Sequence, residues 1–138
     1  MENICNSTLG FNEDDRAQRL FLEFSELRGQ INISYVNSTD HIVAWHRHKK
    51  QKDYWFCIKG SFKVGLAEEI DGKTCVRWVY ISDKNPRILE IEPGVWHGYK
   101  ALQPESIMLY YLTEKYNPKD EWKVKPGHFN EIWSTEDR

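Results

Sequence analysis

Between Arg19 and Thr113 the chain is a succession of short alternating runs broken by turn residues, and no stretch is patterned as a helix of any length. The expected strands are Arg19–Ser25, Gln30–Val36, His41–His48, Tyr54–Lys59, Phe62–Ala67, Cys75–Ile81, Arg87–Ile91, His97–Leu102 and Ser106–Thr113. Gly60-Ser61, with glycine first, has the form of a tight two-residue hairpin link. Asp71-Gly72, Asn85-Pro86 and Glu92-Pro93-Gly94 mark further turns. Asn12–Gln18 has room for one short turn. Strands this short and this closely spaced predict an all-β sandwich or closed barrel.

The tail, Glu114–Arg138, carries Pro118, Pro126 and Gly127 and is expected to wrap irregularly around the barrel. Its Trp122, Phe129 and Trp133 are the expected anchors, since large apolar side chains seek burial. With 138 residues the whole chain, 1–138, is expected to be one domain. The net charge of -2 gives no basic footprint for nucleic acid, and no apolar run approaches a membrane span. Met1–Cys5 lacks the basic start and apolar run of a signal peptide, which points to a cytoplasmic protein. Cys5, Cys57 and Cys75 are odd in number with no CxxC pair, and Cys57 falls in a strand pattern as a small core residue.

His46 and His48 are two apart, so on a strand they share one face. His97 follows the Pro93-Gly94 turn and can meet them inside a barrel. Three converging imidazoles make either a metal site or a proton-transfer site. On the metal reading, His46, His48, Asp53 and His97 are ligands suited to a divalent cation such as Fe, Mn, Ni or Zn. His41, five residues before His46 and so on the opposite face of a regular strand, is read as a surface residue, as is His128.

The order His-x-His, an acid at Asp53, Gly60, then Pro93-Gly94-Val95-Trp96-His97 resembles the two signature motifs of the cupin superfamily, whose fold is a jelly-roll antiparallel β-barrel. Metal-binding cupins usually have Glu at the position of Asp53. A closer resemblance rests on Trp45–Gln51, Ile58-Lys59-Gly60, Pro93–Tyr99 and Tyr116–Glu121. These segments are similar to the dTDP-4-dehydrorhamnose 3,5-epimerase family, in particular to its short, divergent branch.

The resemblance implies a cofactor-free epimerase or isomerase of a nucleotide-linked 4-keto-6-deoxy sugar, and a homodimer with Gln30–Val36 as an exchanged or edge strand. It places His46 as the base, Tyr110 as the acid on the opposite sugar face, and His48 and His97 as groups that polarise the ketone or relay protons. A histidine suits removal of a hydrogen α to a ketone, and a tyrosine can return one. Arg16, Trp45, Trp55, Tyr99 and Lys59 are the expected substrate-binding residues, and Asp120 or Glu131 the acid that orients the base.

Three positions depart from the family, one of them His48, which stands where its members carry glutamine. Val43 stands where its members carry arginine, and Asp53 stands at the enolate-supporting lysine, leaving Lys52, Lys59 or Lys100 to substitute. Other readings therefore stay open: a 3,4-ketoisomerase, whose His-x-His-Lys pattern His46–Lys49 matches, a metal-dependent cupin, and a non-catalytic sugar-binding protein.

Overall fold

Alternation of buried and exposed side chains turns the short runs into two facing sheets. The computed structural model describes residues 4–5, 10–24 and 27–138. The strands are β1 (Ile4–Cys5), β2 (Gly10–Glu13), β3 (Gln18–Phe21), β4 (Gln30–Tyr35), β5 (Ile42–Arg47), β6 (Asp53–Lys59), β7 (Ser61–Ile70), β8 (Lys73–Ser82), β9 (Ile88–Ile91), β10 (Trp96–Ala101), β11 (Ile107–Leu112) and β12 (Trp122–Lys123). One antiparallel sheet has the order β1-β9-β6-β11-β4, and the other has β12-β5-β10-β7-β8. This is the jelly-roll arrangement of a cupin.

The main core fills the space between the sheets with Trp55, Cys57, Phe62, Val64, Leu66, Ile81, Leu89, Ile91 and Met108. Burial of the Cys57 thiol, reinforced by the Asp83 charge, pushes its pKa up to about 11, so it is a packing group and not a nucleophile. Two further clusters lie on the outer faces. Tyr54, Phe56, Ile88 and Tyr111 are covered by Leu22 and Phe24, and Trp45, Ala67 and Trp133 lie beneath the carboxy-terminal tail.

Several expectations are corrected here. Gly60-Ser61 is not a hairpin, because β6 and β7 belong to different sheets. Gly60 turns a corner between them at φ +84, donating its N–H to Asp83 at 3.0 Å, and a Cβ there would meet the Ser106 hydroxyl at 2.1 Å. The true tight hairpin is Asp71-Gly72, joining β7 to β8, with φ values of 53 and 77. Asn12–Gln18 is not a separate turn but most of a β2–β3 hairpin. The run from Arg19 stays a strand only to Phe21, and Ser25 lies outside the described residues. In the tail, Trp133 is buried and Phe129 packs on Trp45 at 5.2 Å, but Trp122 is 43% exposed and ties the tail down through backbone pairing with Arg47, not by burial.

No helix among the described residues is long and apolar enough to cross a membrane.

Candidate active site

β5 carries the first two histidines, and its pairing with β10 decides which residues share their face. The register runs His97 to His46 but Tyr99 to Val43, so three steps on β5 oppose two on β10. This bulge lets Val43 and His46 face the same cavity although they are three residues apart. Gly98 sits at the crossing, where a Cβ would lie 2.5 Å from Ala44 Cβ and 2.7 Å from the Val43 carbonyl oxygen. His41, just before β5, is exposed as a surface residue and lines an adjoining cleft together with Val43 and Tyr99.

The cavity is about 220 Å³ and is lined by His46, His48 and His97 from one side and by Asn32, Asp53, Trp55 and Tyr110 from the other sheet. Each imidazole has its Nδ1 held by an acceptor, Glu121 in the cavity wall for His46 and a backbone carbonyl for the other two. His46 Nδ1 lies 2.7 Å from Glu121 Oε1, His48 Nδ1 lies 2.8 Å from the Asp120 carbonyl, and His97 Nδ1 lies 2.9 Å from the Val95 carbonyl. A carbonyl or ionised carboxylate accepts, so each Nδ1 carries the proton and each Nε2 is left as a base. Partial burial pushes the Glu121 pKa up, but hydrogen bonds from the Tyr116 hydroxyl at 2.9 Å and from His46 outweigh it and hold the carboxyl below its ordinary range.

His97 is buried, and that burial pushes its pKa down to about 4 against the attraction of Asp53, with His48 and His46 also opposing its charge. It is therefore neutral near pH 7 and accepts hydrogen bonds at Nε2. A pH dependence of folding follows. Below about 6.5 an unfolded histidine binds a proton, but folded His97 does not until about pH 4, so stability falls as pH drops through that window. The loss is expected to approach roughly 3 kcal/mol. Urea unfolding at neutral and mildly acid pH should show it in the wild type, and His97→Asn should flatten it; equal slopes in the two proteins would refute the assignment.

Asp53 is also buried. Its carboxylate accepts from Gln51 Nε2 at 2.7 Å and from Trp55 Nε1 at 3.1 Å. Among the described residues His48, Asp53 and His97 offer ligand atoms within 4.8 Å of one another, a spacing compatible with a divalent cation. Both Asp53 oxygens already serve N–H donors, which weakens them as ligands.

The remaining expected site residues separate cleanly. Trp55, Tyr99 and Tyr110 line the cavity, with the Tyr110 hydroxyl 2.6 Å from Ser34 Oγ. Trp45 does not. Alternation turns it away from His46 and under the tail, where it is fully buried and donates to Glu131 at 3.1 Å. Lys59 is exposed at the end of β6, 4.0 Å from Glu105, and Arg16 is exposed on the β2–β3 turn, 2.7 Å from Asp14. Lys52 is paired with Glu90 and Glu92. Among the described residues no lysine or arginine lines the cavity.

The acid on His46 is Glu121, not Asp120 or Glu131. The Asp120 carboxylate instead accepts the backbone N–H groups of Lys49, Lys50 and Gln51, at 3.0, 3.1 and 3.1 Å. Glu131 binds the Trp45 and Trp133 indoles and two backbone N–H groups of the tail. The only sequence signal for Glu121 was its place in the Tyr116–Glu121 segment.

A jelly roll that sets paired imidazoles opposite a tyrosine across one cavity has the architecture of a cupin. The family model of the dTDP-4-dehydrorhamnose 3,5-epimerases matches residues 10–131, and the chain belongs to that family, whose members are sugar-nucleotide epimerases and isomerases. It is 37% identical over 109 residues to the spore coat polysaccharide biosynthesis protein SpsL of Bacillus subtilis, covering 70% of each chain. It is 34% identical over 116 residues to a dTDP-4-dehydrorhamnose 3,5-epimerase of Mycobacterium tuberculosis, covering 80% of this chain but only 57% of that longer protein. A solved dTDP sugar isomerase from Desulfovibrio desulfuricans shares the fold, with a TM-score of 0.80, 19% identity, and coverage of 95% of this chain and 90% of that one.

Proposed function

We propose that this chain moves protons on a nucleotide-linked 4-keto-6-deoxy sugar, inverting one or both carbons beside the ketone, in the synthesis of a surface polysaccharide or deoxysugar. The observation that carries the reading is the opposition of two proton-active groups across one small cavity. His46, paired with Glu121, stands on one sheet and Tyr110 on the other.

In this mechanism His46 Nε2 removes the hydrogen α to the ketone, and the adjacent Glu121 carboxylate stabilises the imidazolium that forms. With no lysine or arginine among the described residues of the lining, enolate charge falls to neutral donors such as Asn32. The Tyr110 hydroxyl, poised on Ser34, returns a proton from the other face. His97, neutral and with Nδ1 committed to Val95, accepts from a sugar hydroxyl and does not polarise the ketone. Trp55 and Tyr99 wall the ring. The reaction needs no metal. A ketoisomerase is the second reading, favoured by the two unprotonated Nε2 atoms of His46 and His48 on the same wall.

The active form is proposed to be a cytoplasmic homodimer, each subunit one domain spanning 1–138 with the tail packed on the barrel. β4 is a sheet edge whose outer row, Ile31, Ile33 and Tyr35, is 55%, 47% and 71% exposed, which suits pairing with a second copy. Cys57 and Cys75 are free, as in a reducing compartment.

The test is NMR of chelator-stripped protein with dTDP-4-keto-6-deoxyglucose in D2O. Deuterium should enter beside the ketone, and Tyr110→Phe should still exchange one hydrogen while losing inversion. Movement of the carbonyl to C3 would select the ketoisomerase. Exchange only after a divalent metal is restored would select the metal cupin, and no exchange with this or related nucleotide sugars would leave a binding protein.

A further inference from the structure

The histidine cavity, about 220 Å³, is smaller than the roughly 300–1,000 Å³ that enclose a whole ligand of drug size. It has room for a sugar ring but not for a ring with its nucleotide attached, so the rest of such a substrate lies outside. Two clefts adjoin the cavity. One, about 490 Å³, shares Val43 and Tyr99 with it, and His41 is the sole cationic candidate among the described residues of its lining. The other, about 450 Å³, shares Gln51 and is walled by Arg28, Lys50 and Lys115. The partition is thin. Leu112, Tyr116 and Glu121 face the cavity, while Thr113, Lys115 and Asp120 face this second cleft.

Charge separates the two. Among the described residues the second cleft has two carboxylates, and both are engaged: Asp120 holds the backbone N–H groups of Lys49, Lys50 and Gln51, and Glu114 lies 3.6 Å from Arg28. Neither the Lys50 nor the Lys115 ammonium has a carboxylate partner among the described residues. Two uncompensated ammonium groups, one buried glutamine away from the base, form an anion site placed where the substrate's remainder must go.

Resting on the proton-transfer reading of the cavity, we infer that the Arg28–Lys50–Lys115 cleft holds the diphosphate of the substrate, with the sugar bent over Gln51 and Tyr116 toward His46. Recognition here is by point charge more than by the bidentate geometry of an arginine clamp, so binding is salt-sensitive.

The test is calorimetric titration of dTDP into the full chain at low and high ionic strength. Lys50→Ala/Lys115→Ala should raise Kd at least about tenfold and remove most of the salt dependence, with a parallel rise in KM in the exchange assay. Lys73→Ala, on the exposed β7–β8 turn, should bind as the wild type does, as should His41→Ala. Unchanged binding in the double variant overturns the inference, as does absence of dTDP binding by the wild type, and a loss carried by His41→Ala moves the diphosphate to the other cleft. Lysine-dependent dTDP binding without proton exchange on any 4-keto sugar upholds the subsite and removes the proposed reaction instead.

Discussion

His46→Asn is expected to slow deuterium entry into the sugar about a thousandfold while the protein stays folded. Asparagine keeps an amide N–H that can reach the Glu121 carboxylate, but it has no basic nitrogen at the position of Nε2. The base is partly exposed and lies outside the main core, so its loss costs little packing. Thermal unfolding within a few degrees of wild type, together with the lost exchange, would tie the chemistry to this ring. Exchange at the wild-type rate would remove His46 from the mechanism and shift attention to His48, the other imidazole on that wall with a free Nε2.

The second large effect is on stability. Trp45→Ala is expected to destabilise the fold by about 4 kcal/mol, because a fully buried indole is replaced by a methyl group in a site that cannot close over it. Trp45 packs on Phe129 and Trp133 at 5.2 and 5.3 Å, lies against the backbone of Gly65, and supplies one of the two indole N–H groups held by Glu131. Trp45→Phe should recover most of the packing and leave KM unchanged, as measured by urea unfolding and the exchange assay. A stable Trp45→Ala protein with a raised KM would return this residue to the substrate wall.

The contrast between these two neighbours shows what could be read from the chain. Alternation marked the strands and set His46 and His48 on one face, because period 2 is a property of the backbone. The same rule, applied to Trp45, puts it on the outer face, but aromatic character beside a histidine made it look like a sugar platform. Alternation also says nothing about which sheet a strand joins, so Gly60 passed for a hairpin when it turns a corner. Bulges interrupt the period altogether, which hid the common face of His46 and Val43. Glu121 was the least legible. It lies in a short irregular segment after a single turn of 3-10 helix, Pro118–Asp120, where no periodicity orients a side chain.

That segment reaches back across 75 residues to His46 and 72 to His48. During synthesis the barrel strands that carry both rings leave the ribosome well before Asp120 and Glu121 do. Until those two residues emerge and dock, the hydrogen bonds that set the tautomers of both imidazoles are missing, so on the proposed mechanism the nascent chain lacks its base. On the proposed mechanism catalytic competence is thus acquired late, and a shortened product ending before residue 120 would lack both the partners of the two imidazoles and the tail that covers Trp45.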